Sequence, residues 1–239
     1  MRKHLTILCL LVLCAGCEKE VKTADIIPSL SVSPTSIDAD GSSQVTVTAV
    51  MTDQAAADKR NVVFTTTAGS WAGGANGKVT IPAVYQNGQI VAVATLTAPS
   101  SETKITITAA AQATSINGDY QQTATVQANN VAPAKIHLEP SSLGIAANYA
   151  AEDTLTAKIS GAKGGNASKG VKVLFEDNLG VTGGHFRQLQ TTSDGTSKVS
   201  AIYGVPTLSS GTPVLLTVTV LDASGAKTNI SDVVTLTIK

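Results

Sequence analysis

From Leu30 to the end of the chain, apolar residues recur at every second position in short runs. Val45, Val47, Ala49 and Met51 alternate with Thr46, Thr48 and Thr52, and Ile105, Ile107 and Ala109 alternate with Thr106 and Thr108. In a strand, successive side chains point to opposite faces, so such a run has one buried face and one wet face. The same phase appears in Leu30 and Val32, in Val62 and Phe64, in Ile90 to Leu96, and in Ala124, Val126 and Ala128. A weaker run covers Lys78 to Ile81. Turn chemistry punctuates the runs: Ala39-Asp40-Gly41, Gly69, Asn87-Gly88 and Asn117-Gly118-Asp119. No segment carries a helical stripe of useful length, which predicts an all-β chain built of short strands.

The pattern is then repeated. Ile136 to Pro140 answers Leu30 to Pro34, and Leu155-Thr156-Ala157 answers Val45-Thr46-Val47. Val173-Leu174-Phe175 answers Val62-Val63-Phe64; Val199, Ala201 and Tyr203 answer Ala92, Ala94 and Leu96. Leu216 to Thr219 answers Ile105 to Thr108, and Val234, Leu236 and Ile238 answer Ala124, Val126 and Ala128. The spacing is roughly 110 residues and drifts only between strands, where loops absorb insertions. Two copies of one module are therefore expected, residues 28–131 and 132–239, joined near Asn129 to Ala134. About seven short strands in ~100 residues is the pattern of an immunoglobulin-like β-sandwich. Phe64 and Phe175 hold the same place in the two copies and are expected to be the largest side chain in each interior.

Ala39-Asp40-Gly41, the Val62 to Phe64 strand running to Gly69, Gly88 through Leu96, and Ile105 to Ala109 together resemble a bacterial Ig-like module of the invasin/intimin type. The second copy resembles it more loosely, with Ala146-Ala147-Asn148-Tyr149 in place of the Ala-Asp-Gly turn. The resemblance covers nearly all of the chain past Leu30. It implies a tandem β-sandwich serving structure or adhesion at a cell surface. Large adhesins of that family also use an outer-membrane barrel and a receptor-binding tip. The matching stretches include neither, so no receptor-binding residue carries over.

The start of the chain is of another kind. Arg2 and Lys3 precede an apolar run, Leu5 to Leu13, that is too short to anchor across a bilayer. Ala15-Gly16 supplies small residues before Cys17, as in a secretory signal. Leu13-Cys14-Ala15-Gly16-Cys17 resembles a bacterial lipobox, with Cys14 where that motif prefers Leu. The resemblance implies removal of residues 1–16 and lipid attachment at Cys17. The alternative is an ordinary signal peptide that contains cysteines. Residues 17–27 then read as a lipidated Cys and a flexible tether of at most about 3.5 Å per residue. Glu18, rather than Asp, after Cys17 does not signal inner-membrane retention, which points to the outer membrane, on its periplasmic or surface face.

Composition narrows the chemistry. All three cysteines, Cys9, Cys14 and Cys17, lie in the first 17 residues, so the modules must hold together without disulfides. Lys and Arg number 17 against 17 Asp and Glu, with no basic cluster, which argues against nucleic acid. A nucleophile needs a base in reach and a group to orient it. His137 falls on the polar phase of a strand, and His185 on a glycine-flanked loop. Asp38 with Asp40, Glu152 with Asp153, and Glu176 with Asp177 are the acidic pairs, and Asp38-Ala39-Asp40-Gly41 lacks the later ligands of a calcium loop. Gly161 to Gly170 lacks the strand-to-helix setting of a phosphate loop and reads as a long hairpin loop. Asn166-Ala167-Ser168 and Asn229-Ile230-Ser231 match the glycosylation triplet by chance. No enzyme, metal, cofactor or small-molecule substrate is expected. Trp71, in Gly69-Ser70-Trp71-Ala72-Gly73-Gly74, has the composition of a loop anchor for a protein or glycan partner. Its alternatives are capping an open end of the module or packing against the neighbour.

Overall fold

A computed structural model describes residues 26–53, 60–111, 121–148, 150–180, 183–205 and 207–239. The leader, Cys17, most of the tether, the Asn117-Gly118-Asp119 turn and Tyr149 lie outside the described residues.

All named elements are strands. In the first half these are β1 (Ser29–Ser33), β2 (Ser36–Asp38), β3 (Gln44–Met51), β4 (Asn61–Thr66), β5 (Ser70–Trp71), β6 (Lys78–Pro82), β7 (Val84–Gln86), β8 (Gln89–Thr97), β9 (Thr103–Ala111) and β10 (Gln121–Asn129). One sheet runs β1-β3-β8-β5, with β7 also paired to β8; the other runs β2-β10-β9-β4-β6. The second half holds β11 (Lys135–Pro140), β12 (Gly144–Ile145), β13 (Glu152–Ser160), β14 (Val173–Asp177), β15 (His185–Gln190), β16 (Lys198–Gly204), β17 (Pro213–Leu221) and β18 (Lys227–Ile238). Its sheets run β11-β13-β16-β15 and β12-β18-β17-β14. Each half is an Ig-like sandwich in which the first strand is divided between sheets. β1 and β11 join one sheet antiparallel, whereas β2 and β12 join the other in parallel with the last strand.

The alternation places the core as expected. Val45, Val47, Val62, Phe64, Leu96, Ile105 and Ile107 are fully buried in one cluster. Leu155, Val199, Tyr203, Leu216 and Leu236 are fully buried in a second, separate cluster. The first core reaches further back than the sequence suggests. Ile27, assigned above to a flexible tether, is fully buried, Ile26 packs against the same core, and the Ile26 carbonyl accepts the Thr52 N–H at 2.9 Å. The two residues are apolar and sit beside the end of β3, so burying them is favourable.

The repeat holds in strand order but slips in register. Val45 lies opposite Leu96, whereas Leu155 lies opposite Ala201, two residues before Tyr203. Phe64 lies opposite Ala109, whereas Phe175 lies opposite Val218, not Val220. A two-residue slip keeps every side chain on its own face, so alternation alone cannot detect it.

Candidate functional site

Trp71 is not a loop anchor. It forms β5 with Ser70, pairs with Leu96 on β8 and is 5% exposed. Its ring sits 5.7 Å from that of Phe64, tilted by 44°. Its indole N–H donates to the Gly77 carbonyl at 3.1 Å, which satisfies the one polar group the ring would otherwise strand. Of the glycines that suggested a loop, Gly69 precedes β5, while Gly73 and Gly74 serve the turn after it, which carries the chain back so that Gly77 meets the indole. Phe64 is fully buried, but it shares the interior with this larger ring, so the expectation that it is the largest there fails.

In the second sandwich Phe175 also yields that place, to the fully buried Tyr203. Phe175, Phe186 and Tyr203 form a chain of rings, with centroids 6.2 Å and 4.9 Å apart. The Tyr203 hydroxyl donates to Asp177 at 2.8 Å, across the sandwich from β16 to β14. Asp177 also accepts the N–H groups of Leu179 and Gly184 at 3.0 and 2.8 Å. Burial pushes the phenol above its ordinary range, and the Asp177 carboxylate adds to the shift. This is a structural latch: the phenol stays protonated at any physiological pH.

The other titratable candidates are likewise engaged. His185 belongs to β15 and not to a loop, opposite Gly204. His137 is exposed on β11, with Nδ1 3.1 Å from the Asp232 carboxylate, which also accepts the Leu138 N–H at 2.8 Å. Glu152 pairs with Arg187, and Glu176 with Lys227 at 2.7 Å. Asp153 accepts from the Ser141 hydroxyl and the Ser142 N–H. Asp40 accepts the Ser42 and Ser43 N–H groups at 2.8 and 2.6 Å, and the Ser43 hydroxyl at 3.0 Å. Burial raises the Asp40 carboxyl, but these bonds outweigh it and hold the group below the usual carboxylate range. The Asp38-to-Gly41 stretch is thus a capped turn. Among the described residues no three His, Cys, Asp or Glu side chains converge as a metal site.

Gly161 to Gly170, which the sequence presents as a long hairpin loop, is not a hairpin, because β13 and β14 belong to different sheets and the segment crosses between them. Residues 161–170, between β13 and β14, lie against the first sandwich. The Lys163 ammonium meets Asp38 at 2.8 Å, Asn166 donates to the Asp40 carbonyl at 3.2 Å, and the Lys169 N–H donates to Ser100 at 2.7 Å. A groove of about 510 Å³ runs beside the linker here, lined by Val131, Pro133, Lys169, Val171, Leu221 and Ile230 among others. The triplet Asn166-Ala167-Ser168 falls in this segment, but its match says nothing of the contact. The available signal was an abundance of Gly, Asn and Ser longer than a hairpin turn needs. A second missed feature is Tyr85, an aromatic 75% exposed on β7.

Solved structures share this architecture. The chain is similar to invasin, described as a bacterial integrin-binding protein, at 20% identity and a TM-score of 0.56, over 88% of this chain and 38% of that one. It is also similar to the Yersinia pseudotuberculosis adhesin InvE, at 18% identity and TM-score 0.42 over 91% of this chain and 59% of that one. For InvD of the same organism the values are 20% and 0.41, over 88% and 57%. The chain therefore spans less than two thirds of the length of each. No protein-family model matches it, and no curated protein matches it. What the likeness to invasin shows is the fold, a tandem of bacterial Ig-like β-sandwiches, as the repeated strands led one to expect.

Proposed function

We propose that the protein is a non-enzymatic lipoprotein of the cell envelope whose two Ig-like modules form a short stalk or adhesion module. The observation that carries this reading is the pair of Ig-like sandwiches, a fold shared with invasin, described as a bacterial integrin-binding protein. The outer faces support it. Gln44, Thr46 and Thr48 on β3 and Thr123 and Thr125 on β10 present short hydroxyls and amides, a surface suited to standing in water. The inward turn of Trp71 removes the main ground for a glycan site on that loop, and a protein partner is the better match to the fold.

Anchoring rests on the leader and Cys17. Each buried acyl CH₂ contributes about 0.8 kcal/mol, and two or more chains give stable attachment. Membrane fractionation and cell adherence of the full chain and of Cys17→Ser test both halves of the proposal. Cys17→Ser is expected to leave the membrane fraction and to abolish any adherence the full chain confers. Retention of Cys17→Ser in washed membranes rules out the lipid anchor. Adherence that is the same with and without the protein rules out adhesion and leaves the stalk.

A further inference from the structure

The linker between the modules is short, Asn130 to Ala134 between β10 and β11. A free linker of that length would let the second module swing widely. This one is fastened along its length. The Val131 N–H donates to the Ser168 hydroxyl at 2.9 Å, and the Ser168 N–H donates back to the Val131 carbonyl at 3.0 Å. The Ala134 N–H donates to the Ser160 carbonyl at 2.8 Å.

Ser168 does more than hold the linker. Its hydroxyl also donates to the Ala39 carbonyl of the first module at 2.7 Å. A serine hydroxyl has one proton to give and lone pairs to receive with. Here the proton goes to one module and a lone pair goes to the linker, from a residue of the other module that is 3% exposed. We infer that Ser168 is a clamp that locks the two modules into one rigid unit, so that the second is held at a fixed angle to the first.

Both sides of the clamp are built in advance. Ala39 is fully buried, and its N–H donates to the Asn129 carbonyl at the end of β10. On the other side the Ser193 hydroxyl accepts the Gly170 and Val171 N–H groups at 3.1 and 3.0 Å, and the Ser197 hydroxyl donates to the Ala167 carbonyl. Ser193 and Ser197 are themselves buried. Around the clamp, the Asp40 and Ser100 carbonyls accept from Asn166 and Lys169. Ala39 and Asp40 belong to the turn before β3 and Ser100 to the turn before β9. The second module therefore rests on two separate loops of the first, which fixes tilt as well as distance. The Lys163–Asp38 pair lies on the rim, with the lysine side chain 81% exposed. Salt screens a pair of that kind, so it cannot set the angle. The clamp stands whatever the modules bind, and it holds or fails independently of the proposed function.

The distribution of distances between spin labels measures it. The full chain carries Cys9→Ser, Cys14→Ser and Cys17→Ser, with labels on Thr46→Cys in β3 and Thr154→Cys in β13, both exposed. Expected are a single narrow population, equally narrow at low and high salt, its loss to a broad distribution in Ser168→Ala, and no broadening in Lys163→Ala. A broad distribution in the starting chain overturns the proposal, as does an unchanged width in Ser168→Ala. Broadening in high salt or in Lys163→Ala overturns it too, because the rim charge would then hold the joint. Trp71 fluorescence checks that the first module is folded, and near-ultraviolet circular dichroism of the Tyr203 cluster checks the second. If Ser168→Ala does not fold, Asn166→Ala reads the same joint from a half-exposed position; broadening supports the clamp network and an unchanged width overturns it.

Discussion

A single tryptophan buried against Phe64 makes the first module its own reporter. Trp71 emission is expected to be blue-shifted in the native chain and to move red only when the first module unfolds. Trp71→Ala removes the ring from contact with Phe64 and empties the space it fills. Truncations of buried aromatic residues cost about 3–5 kcal/mol, so first-module melting is expected to fall steeply while the second module keeps its own midpoint. If Trp71→Ala leaves that midpoint in place and abolishes binding to a partner, the ring is a contact after all. Tyr203 allows a separate test by pH. Its phenol is raised above the ordinary value, so its contribution is fully present below about pH 10 and is lost as pH rises through the folded value. Alkaline titration is expected to weaken the second module from about pH 10 upward. Tyr203→Phe is expected to flatten that loss and to cost about 1.5–3 kcal/mol at neutral pH, the worth of a hydrogen bond to a charged group. Urea unfolding at neutral pH and at about pH 11 distinguishes the two.

At the scale of elements, what could be read in the sequence was whatever depends on period two. Strand identity, buried phase and repeat order all follow from it, and all appear in the structure. Features that do not depend on the period were hidden. The slip between Leu96 and Ala201 preserves the phase, so only ladder pairing shows it. Trp71 sits in a two-residue strand, too short to alternate, among glycines that look like loop. Ser168 is one serine among many, and what distinguishes it is which loop of the other module it meets. Turns were legible where chemistry dictates them. Asn87 and Gly88 both have positive φ, 50° and 82°, and join β7 to β8 as a two-residue hairpin, for which Asn-Gly is the preferred pair. Gly69 and Gly88 then make a contrast. Both have positive φ, but a Cβ on Gly88 meets nothing within 4 Å, whereas one on Gly69 would lie 2.4 Å from the Thr97 carbonyl oxygen. Gly88→Ala is expected to cost about 1–2 kcal/mol, the backbone term alone. Gly69→Ala is expected to cost clearly more, since β5 must move off β8. Equal losses in thermal melts of the two variants would contradict the close approach of Gly69 to β8.

Across the whole molecule, two separate cores meet at one polar joint, and acid is expected to act on that joint through Asp40. Among the side chains of the two cores only the Tyr203 phenol titrates, and it does so in alkali. Asp40 does titrate, and it fixes the turn whose Ala39 and Asp40 carbonyls receive Ser168 and Asn166. Its folded value lies below the ordinary carboxylate value because the bonds from Ser43 and Ser42 outweigh the opposing effect of burial. A depressed value means stability that is present above the unfolded pKa and is lost as pH falls through the folded one. The window therefore opens below about pH 4. Protonation weakens the acceptor for the Ser42 and Ser43 N–H groups, loosens the turn, and with it the seat of the second module. First-module melting, followed by Trp71, is expected to drop in that window, and the spin-label distribution to broaden before Trp71 reports unfolding. Asp40→Asn keeps one acceptor oxygen and no longer titrates. It is expected to start less stable at neutral pH and to lose less on acidification than the native chain. If Asp40→Asn shows the same acid loss as the native chain, the loss belongs to other carboxylates and the turn is not where acid enters.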